Sequence, residues 1–210
     1  MRRRALLVAA AVVLLALAAA LALLAADVRR WETRIAQDDL AFRHAPGRPA
    51  LWQPEERVPG GLARRLLGVD DDLAFRNGLR LFRVGRPRQL AFDKPELLAI
   101  RGEAQGELTE LARTDPSPRR RSEAVNLVGV LSLGVEGREN AAARQQFLES
   151  GVANFQTAVT LDDGNERAKY NLELALRRQE TDAASLEDAG AQVPRDNPSG
   201  AGLRGAGRGY

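Results

Sequence analysis

The chain opens on an unbroken apolar run, Ala5 to Ala26, behind Met1-Arg2-Arg3-Arg4. At about 1.5 Å per helical residue such a run crosses a hydrocarbon core of about 30 Å, so it reads as a transmembrane helix. Past Asp27 the pattern thins to one stripe of Val28, Trp31 and Ile35. That stripe predicts a short amphipathic stalk to about Ala41, with Trp31 near the headgroups. Further on, apolar positions recur at three- and four-residue steps. They are Phe75, Leu79 and Phe82, then Leu97, Ile100, Ala104, Leu108 and Leu111, then Ala124, Leu127, Val128 and Leu131. Leu148, Val152, Phe155, Ala158 and Val159 follow, and finally Ala168, Leu172, Ala175 and Leu176. The period is helical throughout, which predicts an all-α fold.

Turn residues divide these stripes. Asp70-Asp71-Asp72 opens the first, and three carboxylates at a helix N-terminus complement its dipole. As a calcium loop the triplet lacks a later Glu. Gly85 closes that helix. Asp93-Lys94-Pro95-Glu96 reads as a capping box for the second helix, which ends at Thr114-Asp115-Pro116. Ser117-Pro118 starts a third, running to Gly134. A long helix from about Asn140 to Leu161 then meets Asp162-Asp163-Gly164-Asn165. This turn is short enough to fold a last helix, ending near Glu180, back against it. Residues 45 to 61 carry Pro46, Pro49, Pro54 and Pro59 and predict a linker or extended loop, in which Trp52 is either a docking anchor or packs on the domain edge. Residues 183 to 210 hold almost no large apolar side chain and are expected to be a disordered tail. Its end, Tyr210, offers an aromatic ring and a free carboxylate to a partner's groove. The expected organisation is therefore a transmembrane signal anchor at 1–26, stalk and linker at 27–69, a helical domain at 70–181 and a tail at 182–210.

Charge sharpens topology more than chemistry. Three arginines on a four-residue tail resist translocation, which places the amino terminus in the cytoplasm and the rest outside, although Arg29, Arg30 and Arg34 lie just past the span. The small residues Ala20 and Ala22 also leave a cleaved signal peptide open, against a run longer than a usual signal core. No cysteine and a single histidine, His44, exclude disulfides, thiolate chemistry and histidine clusters. A net charge of +3 argues against nucleic acid as a partner. Gly102-Glu103-Ala104-Gln105-Gly106 has spaced glycines but sits in a helical pattern with no strand before it, so it is not a phosphate loop. No metal, cofactor or small-molecule substrate is expected.

Self-similarity adds an internal repeat. Asn77, Leu79, Phe82 and Gly85 have the mutual spacing of Asn126, Val128, Leu131 and Gly134. Leu108, Leu111, Asp115 and Pro116 correspond likewise to Phe155, Ala158, Asp162 and Asp163. Gly151, Phe155 and Ala158, the ending Leu161-Asp162-Asp163-Gly164-Asn165 and the following Ala168-Lys169-Tyr170-Asn171-Leu172 resemble the tetratricopeptide repeat (TPR), with Asp163, Lys169 and Glu173 where proline, tryptophan and glycine are usual. The connection between the helices of each hairpin is longer than in that family. Tyr170-Asn171-Leu172-Glu173-Leu174-Ala175-Leu176 is also similar to repeat segments of bacterial membrane proteins that accompany MoxR-type ATPases and von Willebrand A domain proteins.

The resemblance implies a single-pass membrane protein whose TPR-like domain serves as a scaffold for other membrane or envelope proteins, with Arg167 and Asn171 on its binding surface. Arg119, Arg120 and Arg121 stand in a helix's first turn, the unfavourable end for cations, and so suggest contact with a partner or with lipid phosphate at the bilayer. A different class of function rests on Glu103, Glu107 and Glu110, which share a helix flank and could act as acids in an extracytoplasmic cell-wall glycan hydrolase. An open groove favours the scaffold, and a polar cavity around those carboxylates favours the enzyme.

Overall fold

The computed structural model describes residues 2–86, 95–134 and 141–191, with side chains at 141 and 185–191 left aside. Among the described residues there are seven helices and no strand. The first, α1 (Arg2–His44), is one continuous rod. It is long and apolar enough to cross a membrane, a test that a signal sequence also passes. Its most apolar window has a mean hydropathy of 3.0, and none of that window is buried. Stalk and span share one helix because nothing between Ala26 and His44 breaks it: neither Pro nor Gly occurs there.

After α1 the chain turns back on itself. Trp52 N–H donates to Asp38 (2.7 Å), and further along Arg57 and Val58 N–H both donate to Asp27 Oδ2 (2.8 Å each). Residues 45–61 are therefore fastened antiparallel to the stalk, forming a collar. A one-turn helix, α2 (Leu62–Leu67), completes it between the left-handed glycines Gly61 and Gly68. Trp31 is packed within the protein. It lies beneath the collar, 4% exposed, and its indole N–H donates to Glu56 Oε1 (2.7 Å). An indole needs an acceptor when buried, and the returning loop supplies one. Trp52 packs, but on the stalk and not on the edge of the helical domain. Its ring lies 5.3 Å from Phe42 at 58°, and its N–H reaches Asp39 Oδ1 (2.8 Å).

The remaining helices are α3 (Asp70–Gly85), α4 (Pro95–Thr114), α5 (Pro118–Leu133), α6 (Ala141–Leu161) and α7 (Glu166–Ala191). Consecutive helices pack in pairs. In addition α5 touches both α3 and α7, so these three form one layer and α4 and α6 a second behind it. The apolar stripes meet between the layers. Leu81, Phe82, Ala104, Leu108, Leu111, Ala124, Leu127 and Leu131 make one cluster. Leu148, Val152, Phe155 and Ala175 make the next, and Val125, Ala158 and Ala168 join α5 to the α6–α7 turn. Each fully buried Leu or Phe contributes about 1.5–3 kcal/mol by leaving water.

Some positions that the sequence pattern pairs are alike in burial. Leu108 on α4 and Phe155 on α6 are both 0% exposed. Each packs into the gap left by a glycine on the preceding helix, Gly78 and Gly129 respectively. Asp115 and Asp162, paired by the sequence repeat, each accept the N–H two residues on (2.8 and 3.0 Å), which turns the chain into the next helix. The helix start at Asp70 agrees with the sequence pattern, and Ser117 Oγ caps α5 by accepting from Arg120 N–H. The proposed caps at 93–94 and the start at Asn140 lie outside the described residues. One boundary is corrected: α7 continues past Glu180 to Ala191, into the expected tail. Ala183-Ala184-Ser185-Leu186-Glu187 are mostly strong helix formers, and a nucleated helix adds residues at little further cost. Tyr210 lies outside the described residues.

Candidate partner groove

The front layer of α3, α5 and α7 borders an open groove of about 1530 Å³. Phe75, Leu79, Phe82, Leu127 and Val130 supply its apolar lining. These side chains sit on the flank of each stripe, between core and solvent, because three helices side by side bury only part of each apolar arc. No residue of α4 or α6 takes part, since the second layer lies behind. The opposite wall is the end of the stalk: Phe42, Arg43, His44 and Pro46. That wall is held in place by specific contacts. The Arg83 guanidinium lies over the Phe42 ring (4.7 Å), and Arg76 donates through Nε and Nη2 to the two carboxylate oxygens of Asp39 (2.9 and 3.0 Å). The Arg76 hydrogen bonds hold the Asp39 carboxyl below its ordinary pKa, against the opposing effect of its own burial.

Asn126 and Asn171 cross the groove floor. Asn126 is 2% exposed, and Asn171 Nδ2 donates to its Oδ1 (2.8 Å). Nearby, Ser122 Oγ donates to the Ala158 carbonyl (2.7 Å) and accepts from Asn165 Nδ2 (2.8 Å), while Asn165 Oδ1 caps α7 by accepting Ala168 N–H (3.1 Å). This buried network fixes the α6–α7 turn against α5 and so sets the spacing of the groove's two far helices. Tyr170 on α7 stands 66% exposed at the edge.

The expected site residues separate. Arg167 and Asn171 both line the groove, Arg167 reaching Glu123 (3.2 Å) while its side chain stays 81% exposed. Arg119 and Arg120 line it too, but Arg121 does not. The three adjacent arginines point different ways because successive residues on a helix are about 100° apart. Their unfavourable position at the α5 N-terminus is relieved by Asp115, 5% exposed, which accepts from Arg120 Nε through both oxygens (3.0 and 2.8 Å). The stalk end that faces these arginines is roughly 25 Å of helix beyond Ala26. In a bilayer crossed by the apolar run, headgroups would extend about 5–8 Å past the hydrocarbon, short of that distance.

Other groove residues escaped the sequence reading. Phe42, Arg43, Arg83 and Arg86 come from helix ends where a basic residue simply complements the dipole, which gives no local sign of a shared site. Glu103, Glu107 and Glu110 are exposed, and none borders the groove. Gly102 and Gly106 beside them face open space, and Glu110 is bound to Arg113 (2.6 Å). Among the described residues no cluster of His, Asp and Glu could hold a metal ion. Compared with protein families, curated proteins and solved structures, the chain matches none.

Proposed function

We propose that this protein is a membrane-anchored scaffold of the cell envelope, tethered by α1 with its amino terminus in the cytoplasm, whose TPR-like domain holds a segment of another protein in the groove. The observation that carries this reading is the groove itself. It is open, and apolar side chains from α3 and α5 lie in it beside the Asn126–Asn171 pair and charged side chains of α3, α5 and α7. Stacked hairpins leave an extended face of this kind, suited to a peptide or a partner helix. The resemblance to proteins that accompany MoxR-type ATPases and von Willebrand A domain proteins makes such proteins the first partners to seek.

The test is site-specific photocrosslinking in intact membranes. A photoreactive residue replacing Tyr170, in the groove, should capture a defined protein neighbour. The same residue replacing Leu98, exposed on α4 away from the groove, should not. Equal capture at both positions, or none at Tyr170, would refute the groove as the binding surface.

A further inference from the structure

The groove carries a charge pattern from which its occupant's chemistry follows. Six arginines line it, Arg43, Arg83, Arg86, Arg119, Arg120 and Arg167, against three acids, Glu123, Asp162 and Glu166. Some of that positive charge is engaged. Arg120 is bound to Asp115, Arg167 reaches Glu123, and Arg83 lies on Phe42. Arg86 and Arg119 are exposed and make no ion pair among the described residues. Arg43, also exposed, adds a third cation from the stalk side, opposite Arg119 on α5. The basic rim therefore has two sources distant in sequence, the last turn of the anchor helix and the helical domain, held together by the Asp39–Arg76 and Phe42–Arg83 contacts.

From this we infer that the composite groove between stalk end and helical domain selects an acidic, amphipathic protein segment, its apolar side on Phe75, Leu79 and Val130 and its carboxylates against Arg43, Arg86 and Arg119. Basic side chains beside the apolar ones of α3 and α5 favour that combination twice. Burial of apolar area gives affinity, while the like charge of a basic peptide would be repelled at short range in a partly desolvated cleft. An anionic bilayer is not the occupant, because the groove lies about two Debye lengths, each about 8 Å, beyond the headgroups of a bilayer that the apolar run crosses. The segment must accordingly belong to a partner that reaches roughly 25 Å beyond the membrane. This inference rests on the scaffold reading and adds to it the chemistry of the partner.

The experiment uses the full chain in neutral-detergent micelles and two labelled amphipathic peptides of identical leucine pattern, one with Glu and one with Lys at the polar positions. Fluorescence anisotropy should show the Glu peptide binding at least about ten-fold more tightly than the Lys peptide, with the preference shrinking as salt is raised. The double variant Arg86→Glu with Arg119→Glu should reverse the preference. Both side chains are exposed and outside the core, so circular dichroism should report an unchanged fold. Equal binding of the two peptides, or a preference that survives charge reversal, would overturn the acidic assignment. If Tyr170 nevertheless crosslinks a neighbour in membranes, the scaffold reading stands and only the partner chemistry falls. If it does not, both fall together.

Discussion

The collar and the helical hairpins are held together by opposite means. In the hairpins most buried side chains are apolar, with a few polar ones such as Ser122, Asn126 and Asn165 bonded among them, and the closest approaches are made at glycines: a Cβ on Gly129 would meet Phe155 Cε1 at 2.6 Å, and one on Gly78 would meet Leu111 Cδ1 at 2.8 Å. In the collar the groups that organise the structure are carboxylates. Asp27 and Asp38, 1% and 2% exposed, accept main-chain N–H groups of a loop that has no helix or sheet to bond to. Ala50 and Trp52 adopt left-handed backbone (φ 56° and 57°), which costs roughly 1–2 kcal/mol per non-glycine residue, and the Asp38 and Asp39 bonds to Trp52 offset part of this. Regular elements satisfy their own backbone and need only burial, whereas an irregular segment must borrow acceptors from side chains.

That contrast can be broken at several points. Phe155→Ala should have the largest effect, about 3–5 kcal/mol, because it empties the space beside Gly129 at the centre of the second hairpin. A thermal melt followed by circular dichroism reads it. Loss of helix should accompany loss of stability, while the signal of the two tryptophans, Trp52 in the collar and Trp31 on the stalk beneath it, should change later or separately. Asp38→Ala should cost about 1–3 kcal/mol by leaving the buried Trp52 N–H without its acceptor. Here the order is inverted: tryptophan fluorescence should shift at once, with helix content nearly unchanged. If instead both probes respond identically to both variants, collar and hairpins are one cooperative unit, and the distinction drawn between them is wrong.

Asp39→Asn should have the smallest effect, about 1 kcal/mol or less, since the bond to Arg76 is partly exposed. Its pH dependence has a definite sign. The folded Asp39 carboxyl lies below its ordinary value of 3.8, so its contribution is present above that pH and is lost as pH falls through the folded value. Wild type and variant should therefore differ in melting temperature at neutral pH and converge in strong acid. A difference that persists there would mean that the asparagine disturbs packing, not charge.

Much of the hairpin architecture was legible because its causes are local. The stripe through Leu97, Ile100, Ala104, Leu108 and Leu111, the Ser117-Pro118 start and the Asp-containing turns each act within a few residues of where they stand. The collar was not legible. Nothing near Asp27 announces a bond to the N–H groups of Arg57 and Val58, thirty residues on, and Trp31 just past an apolar span carries every local mark of an interfacial anchor. Arg101 is similar. It reads as a helix-surface cation, yet it is 9% exposed, donates to the carbonyls of Leu131 and Gly134 at the end of α5, and has its pKa pushed down by burial.

By itself, then, the sequence determined the membrane-length apolar helix, the all-α class, the pairing of helices across short turns and the presence of Arg167 and Asn171 on one helix face, because periodicity and turn chemistry depend on neighbours along the chain. Only the tertiary structure decided that the stalk end closes the groove and that Arg119 and Arg120 enter it while Arg121 does not. It likewise decided that Arg43 and Arg86 share a rim. Those placements depend on contacts between residues far apart in sequence, made by Asp39 with Arg76 and by Phe42 with Arg83, and no local pattern encodes which distant partner a side chain will meet.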